Sequence, residues 1–529
     1  MIKKIIEECQ VIGVEVIATI CDQGAANRAA INSLLRDTAE YLQTQGIENR
    51  YHGFLIKKQE VVPLYDVPHL FKGIRNNLMK YNARFTQNDV IKVAKWEHIE
   101  KFYLLDTMDP TRLCVKLTDA HIYAKHMNKM KVSLMTQVFS WNVGSLMKRI
   151  SQWNIESDCK LPREAEETAD LILFLDSLFD SLNGNSRSAP ISKPFKAGVT
   201  STSPHKLSWT DAIRLLQSLK FCDHEKSVQV PSVVNLVKTL KGFLYLRSKL
   251  VLRMEYFLPR AFNQDCVENF FAAIRSYGRR NVSPNVPHFI ASFKSLVVNN
   301  YMSSHSPSAN CEEDFTTGVL DNLKSFLLNQ DLPGVEPLEP AVAVEVPVSA
   351  IAYKRSPVAS STVAYFAGYI GKKMIKKTKG CESCNNKLSY SDGNVPMEVI
   401  EARQYPGSKL YRPGSYLFFI CGQVLSRSLY IIPRHCAKDK LSDFLLTHLM
   451  HTLNFNSFNC PSHPNLGKLI VSFLVRCILY FWCKQVNRIL TGKDTKFERF
   501  LKLTSNLSLV DPIKLHAHNL HLQKCKYKK

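Results

Sequence analysis

Acidic residues are scarce in this 529-residue chain: 46 Asp and Glu stand against 69 Lys and Arg, a formal charge of +23. That imbalance points to a polyanionic partner, nucleic acid foremost. Cysteine is thin too, 15 in all, too sparse and odd in number for an extracellular disulfide scaffold, so a reducing compartment is expected. Long apolar runs are missing. The most membrane-like stretch, LIVSFLVRCILYFWC at 469–483, is interrupted by Arg476, whereas a span needs about 20 apolar residues. It reads as a buried helix, and no membrane partner is expected. The opening MIKKIIEECQ carries charges where a signal peptide needs an apolar core. Neither an internal repeat nor a Gly-x-x-x-x-Gly-Lys-Ser/Thr phosphate loop occurs. What is there, 45% hydrophobic and 22% charged residues, is the balance of a folded protein of about three or four domains.

Along the chain, residues 3–10 read as a short helix and VEVIATIC (14–21) as a buried parallel strand. A helix over about 27–43 follows, then a strand at 60–64 and a helix from His69 to about Tyr81. Strand–helix alternation of this kind implies an α/β fold. Over 85–258 the helical period dominates, at 87–94, 120–127, 132–150, 164–182, 210–219 and 232–250, with a Ser/Pro/Gly-rich loop at 183–204. This stretch reads as a mostly helical insertion. Another helix starts near Asn263, residues 332–360 form a Pro-rich linker, and the remainder is helical with a basic tail.

Asp22 stands at the carboxyl end of the first strand, where α/β sheets bind ligands, with Gly24 for a tight exit and Asn27 to cap the next helix. A simple turn role for Asp22 is the alternative. In NQDCVENFFAAIRSYG, Val267, Phe270, Phe271 and Ile274 form an apolar arc, while Glu268, Ala272 and Arg275 share the other face. That face suits a metal ligand beside a phosphate contact, or a solvated stripe. Lys72, Arg75 and Asn76 lie opposite the apolar face of the helix after His69, and Lys372, Lys373, Lys376 and Lys377 make a second basic stripe. Such stripes suit phosphate backbones. Cys381-Glu-Ser-Cys384 has the spacing of half a zinc site. His435-Cys436 and Cys460 with His463 are both candidate second halves, and plain thiols are the alternative.

Taken in order, the segments CDQGAANRAAINSLL, YDVPHLFKGIRNNL, CVKLTDAHIYAKHMNKMKVSLMTQVFSWNV, DCVENFFAAIRSYGRRNVSPNVPHF and VAYFAGYIGKKMIKKTKGCESC resemble the P-element transposase family, which includes domesticated relatives carrying a THAP zinc finger. The resemblance implies a mixed α/β and α fold: an incomplete RNase H-like core at 1–84 and 259–331, interrupted by a mostly helical GTP-binding insertion domain at 85–258. The linker at 332–360 and a helical C-terminal region at 361–529 follow. It implies DNA cleavage and strand transfer by three carboxylates holding two Mg²⁺ ions, with Asp22 as the second acid and Glu268 as the third, each a catalytic and metal-binding residue. The first acid and the first three strands would precede Met1, so the chain as given is expected not to transpose DNA alone. Lys72, Arg75, Arg275, Arg279 and Arg280 become candidate DNA contacts. A guanine site is implied at Phe179, Asp180 and Asn183, with the ring stacking and the carboxylate accepting from the base; a plain helix end at Asn183-Gly184 is the alternative there. Nuclear residence is expected, with DNA (transposon ends or target) and guanine nucleotide as partners, and a homo-oligomer is left open. The competing reading is a non-enzymatic DNA-binding or protein-interaction factor derived from a transposase.

Overall fold

The computed structural model describes residues 1–108, 112–127, 131–153, 161–190, 193–223, 226–276, 283–302, 346–347, 357–389, 393, 395–492, 497, 501 and 511–526. They divide into two compact units. The first takes the described residues within 1–96, 128–140 and 171–317, the second those within 97–127, 141–170 and 318–529, so residues of the 85–258 stretch occur in both.

The first unit opens with helix α1 (Ile2–Val11), strand β1 (Ala18–Cys21) and helix α2 (Ala25–Thr44). Strands β2 (Phe54–Ile56) and β3 (Gln59–Tyr65) and helix α3 (Val67–Leu78) come next. β3 is central in a three-stranded sheet of order β1-β3-β2. It runs parallel to β1, with Ala18 opposite Val62 and Cys21 opposite Tyr65, and antiparallel to β2. Alternation along β3 sends its residues to two cores. Val61 packs with Ile6, Ile31, Leu34, Phe54 and Ile56, the side covered by α1 and α2. Val62 and Leu64 meet helix α10 (Pro231–Leu250) at Gly242, where an added Cβ would lie 2.5 Å from Leu64 Cδ2. The Tyr65 N–H donates to Thr239 Oγ1 of α10 at 3.1 Å. A similar close approach joins α3 to α10: a Cβ on Gly73 would fall 2.1 Å from Ser232 Oγ.

A second sheet overlaps one of the expected helices, that at 87–94. Strands β4 (Asn82–Gln87) and β5 (Val90–Ala94) form an antiparallel hairpin with Gln87 opposite Val90. β6 (Lys220–Asp223) and β7 (Lys226–Val228) extend it to the order β5-β4-β6-β7. The helix expected at 87–94 is therefore corrected to a turn and a strand. Asn88 and Asp89 take φ of 50° and 60°, the left-handed pair that a two-residue hairpin turn demands, and β-branched Val90, Ile91 and Val93 suit a strand.

Helices α4 (Trp96–Met108), α5 (Asp119–Ile122), α6 (Val132–Val138), α7 (Trp141–Ser151) and α8 (Ala165–Leu182) follow β5. The continuous helix expected over 132–150 is broken between α6 and α7, and that expected over 120–127 is only the short α5. In the first unit α9 (His205–Ser218) packs on α10, with Trp209 beside Phe243 and its Nε1 donating to Ser181 Oγ at 3.0 Å. Helices α11 (Asp265–Ser276) and α12 (Val286–Met302) join through Phe270, Phe271, Phe289 and Phe293. Burial along α11 departs from the expected apolar arc: Ile274 is enclosed, whereas Val267 and Phe271 are 52% and 42% exposed.

The second unit is helical. Its C-terminal part comprises α13 (Pro357–Lys377), α14 (Glu382–Ser389), α15 (Glu398–Arg403), α16 (Ser415–His435), α17 (Leu441–Thr452), α18 (Leu466–Leu490) and α19 (Pro512–Lys526). One core takes Val363, Ile370 and Met374 from α13, Leu417 and Val424 from α16, Leu445 and Leu449 from α17, and Ile470, Leu474 and Ile478 from α18. α16 and α18 are long and apolar enough to cross a membrane by length and composition, and half of the most apolar window of α18 is buried in this core. Of the linker expected at 332–360, residues 332–345 and 348–356 lie outside the described residues.

Candidate metal and nucleotide sites

β1 ends at Cys21, and the next carboxylate is held by its own chain. Asp22 Oδ1 accepts from the Gly24 N–H at 2.8 Å and from Asn27 Nδ2 at 2.7 Å. A Cβ on residue 24 would stand 2.9 Å from that oxygen, so glycine leaves the carboxylate its place. Gly24 is the N-cap of α2. Asn27 thus does not cap the helix as expected but secures Asp22 from inside the first turn. The Gly24 N–H, then Asn27, hold Asp22 below the usual carboxylate range, with a smaller pull from the His69 ring. It stays ionised at neutral pH.

His69 sits in the first turn of α3 because Asp66 caps that helix. Asp66 Oδ2 accepts from the His69 N–H at 3.1 Å and lies 2.6 Å from His69 Nδ1. Its Oδ1 accepts from the Gln264 N–H at 2.7 Å. One buried carboxylate, 2% exposed, therefore ties the end of β3 to the segment that starts α11, 198 residues later. This tie brings Glu268 to the same place: Glu268 Oε1 is 3.9 Å from His69 Nε2. His69 is thus the neighbour of Glu268, and its charge is the smallest of the influences that lower Asp22. Nearby, Cys21 is pushed up to about 11 by burial and then by the Asp22 and Asp66 charges. Burial pushes Lys72 below its ordinary range, against the pull of Glu268 and Asp66.

The basic stripe expected on α3 is corrected. Lys72 is buried and Arg75 is wholly enclosed, its Nε and Nη2 donating to Asn76 Oδ1 at 3.2 and 2.9 Å. α3 packs on both sides, so its polar face meets protein rather than solvent. Arg275 is half-buried in the last turn of α11. Arg279 and Arg280 lie outside the described residues. On α13, by contrast, Lys372, Lys376 and Lys377 are exposed, and Ile370 and Met374 are buried.

Phe179, Asp180 and Asn183 fall at the C-terminal end of α8. Asp180 is nearly enclosed and faces two cations, Lys193 Nζ at 2.7 Å and Lys196 Nζ at 3.5 Å. Lys193 also reaches Asp176 at 3.8 Å. Phe179 is half-buried and meets Phe71 of α3 edge-on, with ring centroids 5.1 Å apart. The Asn183 N–H donates to the Asp180 carbonyl at 3.3 Å in the turn that closes the helix. The lysines beside Asp180 were not singled out from the sequence, because the loop that carries them gives no local sign of folding back onto α8. Asp66 and His69 went unread for the same reason: their weight comes from a contact with residue 264.

Residues 68–197 match the family described as TNP-like, GTP-binding insertion domain, and residues 261–294 match the TNP-like, RNase H C-terminal domain. The Transposable element P transposase of Drosophila melanogaster is 25% identical over 276 residues, 51% of this chain and 34% of that protein. The match thus spans about a third of the length of this curated relative. The solved structure titled Drosophila P element transposase strand transfer complex aligns at a TM-score of 0.46 and 21% identity, over 56% of this chain and 63% of that one. With a GTP-binding insertion matched across Asp180 and an RNase H C-terminal segment matched across Glu268, the similarities found support a P-element transposase-like family.

Proposed function

We propose that this chain is a P-element-type DNA transposase or a domesticated derivative, in which Asp22 and Glu268 hold divalent metal for DNA cleavage and strand transfer within an RNase H-like core. The observation that carries the reading is that the Asp66 hydrogen bond to the Gln264 N–H brings Glu268 Oε1 to 3.9 Å from His69 Nε2, on the helix that follows the strand paired with β1, which ends beside Asp22. The donor set fits a hard cation: Asp22 is held ionised, and because its Oδ1 takes both local hydrogen bonds, Oδ2 would be the oxygen offered to a metal. The Glu268 side chain is 55% exposed, within reach of solvent and of a phosphodiester. Asp22 and Glu268 would hold Mg²⁺, which would supply Lewis-acid chemistry for phosphodiester cleavage. The protein's own part is positional. Asp66 fixes the His69 ring, and Lys72 offsets the negative charge of Glu268 and Asp66. The test is Mn²⁺ titration followed by paramagnetic resonance, alongside nicking of labelled duplex DNA. Asp22→Asn and Glu268→Gln are each expected to weaken Mn²⁺ binding at least tenfold. Unchanged binding in both variants removes the assignment.

Guanine nucleotide is the second ligand of this reading. The guanine N1–H and amino group would replace Lys193 and Lys196 on Asp180, and the displaced ammonium groups would then be free to meet phosphates. Titration with GTP and ATP tests it: Asp180→Ala is expected to abolish the preference for GTP, and a preserved preference overturns the site. Exposed Lys372, Lys376 and Lys377 favour one further reading, a DNA-binding factor of nuclear residence that works without chemistry. Its mark is DNA binding that is independent of metal and survives Glu268→Gln.

A further inference from the structure

In the second unit three thiols and one imidazole converge. Cys381 precedes α14 and Cys384 lies in its first turn, while Cys460 and His463 flank a tight turn before α18. Cys384 Sγ is 3.4 Å from Cys460 Sγ and 3.5 Å from His463 Nδ1. Cys460 Sγ is 3.5 Å from His463 Nδ1 and 4.0 Å from Cys381 Sγ. All four ligand atoms lie within 4.8 Å of one another. A tetrahedral zinc ion with Zn–S near 2.3 Å and Zn–N near 2.05 Å requires S···S edges of about 3.8 Å and S···N edges of about 3.6 Å. The observed edges scatter around those values. They are far too long for a disulfide, whose sulfurs sit about 2.05 Å apart.

The backbone is shaped for the same end. Cys460 and His463 exchange backbone hydrogen bonds, N–H to carbonyl, at 3.3 and 2.9 Å across Pro461 and Ser462. That closes a knuckle with Sγ and Nδ1 on one side. Asn459 anchors the knuckle from both directions: its Oδ1 accepts from the Gly467 N–H at 2.7 Å and its carbonyl accepts from Lys387 Nζ of α14. Cys384 and Cys460 are buried in the unit's apolar core with Leu388 and Phe458. Three soft thiolates and an imidazole make four protein ligands, which is the closed set of a structural zinc site rather than a catalytic one with an open position. The sequence left His435-Cys436 as an equal candidate. In the fold His435 instead packs on Phe444, with ring centroids 5.2 Å apart.

We propose that Cys381, Cys384, Cys460 and His463 bind one structural zinc ion that pins α14 to the knuckle before α18. The full chain, purified under reducing conditions from zinc-supplemented medium, is expected to hold one zinc per chain by elemental analysis. Replacement by Co²⁺ is expected to give the intense visible bands of tetrahedral cobalt together with sulfur-to-cobalt charge transfer. Cys384→Ser and Cys460→Ser should lose stoichiometric metal and Cys436→Ser should keep it, while His463→Cys should retain metal with a changed charge-transfer spectrum. The unsubstituted chain decides the matter even where a variant fails to fold. Metal content at background with no cobalt spectrum, iron in place of zinc, or full zinc in both serine variants overturns the proposal.

Discussion

Glu60 shows how one side chain in β3 carries several elements. Its Oε1 accepts from the His52 and Gly53 N–H groups at 2.8 and 2.9 Å, and its Oε2 accepts from Tyr245 and Lys249 of α10 at 2.5 and 2.6 Å. Burial opposes its charge, but Lys249, Tyr245 and the Gly53 N–H outweigh it and hold the carboxyl below its ordinary value. A depressed folded-state pKa contributes stability above the unfolded value of about 4.3 that is lost as pH falls through the folded value. Urea unfolding followed from pH 7 to pH 3 should therefore show an acid-side loss that is smaller in Glu60→Gln. Glu60→Ala should cost about 1–3 kcal/mol at pH 7 by stranding buried N–H groups. Asp22 and Glu268 were readable at this scale because they sit in segments resembling a known family. Asp66 was not, since nothing local distinguishes a helix cap from a cap that also fastens residue 264.

Elements with long, consistent periodicity were the readable ones: α8 and α10 run almost where their apolar spacing places them, at Ala165–Leu182 and Pro231–Leu250. The β4–β5 hairpin was not, because a short β-branched run fits a helix face as well as a strand. Its turn is Asn-Asp rather than the stronger Asn-Gly signal. That composition leaves Asp89 in the left-handed region at φ 60°. Asp89→Gly should stabilise the fold by about 0.5–1 kcal/mol. Asp89→Val should cost about 1–2 kcal/mol. Midpoints of thermal or urea unfolding check both, and equal midpoints for the two variants would refute the turn assignment.

At the scale of the whole molecule the charge of +23 is an average that conceals where cations face solvent. Folding buries Lys72 and Arg75 and leaves Lys372, Lys376 and Lys377 outside. DNA affinity measured against salt should reflect this. Replacing the three α13 lysines by Gln should reduce the slope of log K against log salt by about 0.9 for each phosphate that is no longer neutralised, up to about 2.7. Arg75→Met, at a wholly buried position, should leave the slope unchanged in any folded variant. A slope untouched by the triple change would show that α13 does not meet DNA.

Composition and order were enough to establish a cationic, mixed α and β chain, the family it resembles, and the identity of its conspicuous acids and cysteines, because those properties reside in residue types and in spacing along one dimension. Which of them meet is a matter of three dimensions. His69 meets Glu268 because a buried cap on α3 also grips the start of α11. Cys384 lies 3.4 Å from Cys460 because α14 and the knuckle before α18 are drawn into one apolar core. Chain distance carries no record of such pairings: burial of apolar faces selects them, and the polar groups drawn in with those faces are left to satisfy one another.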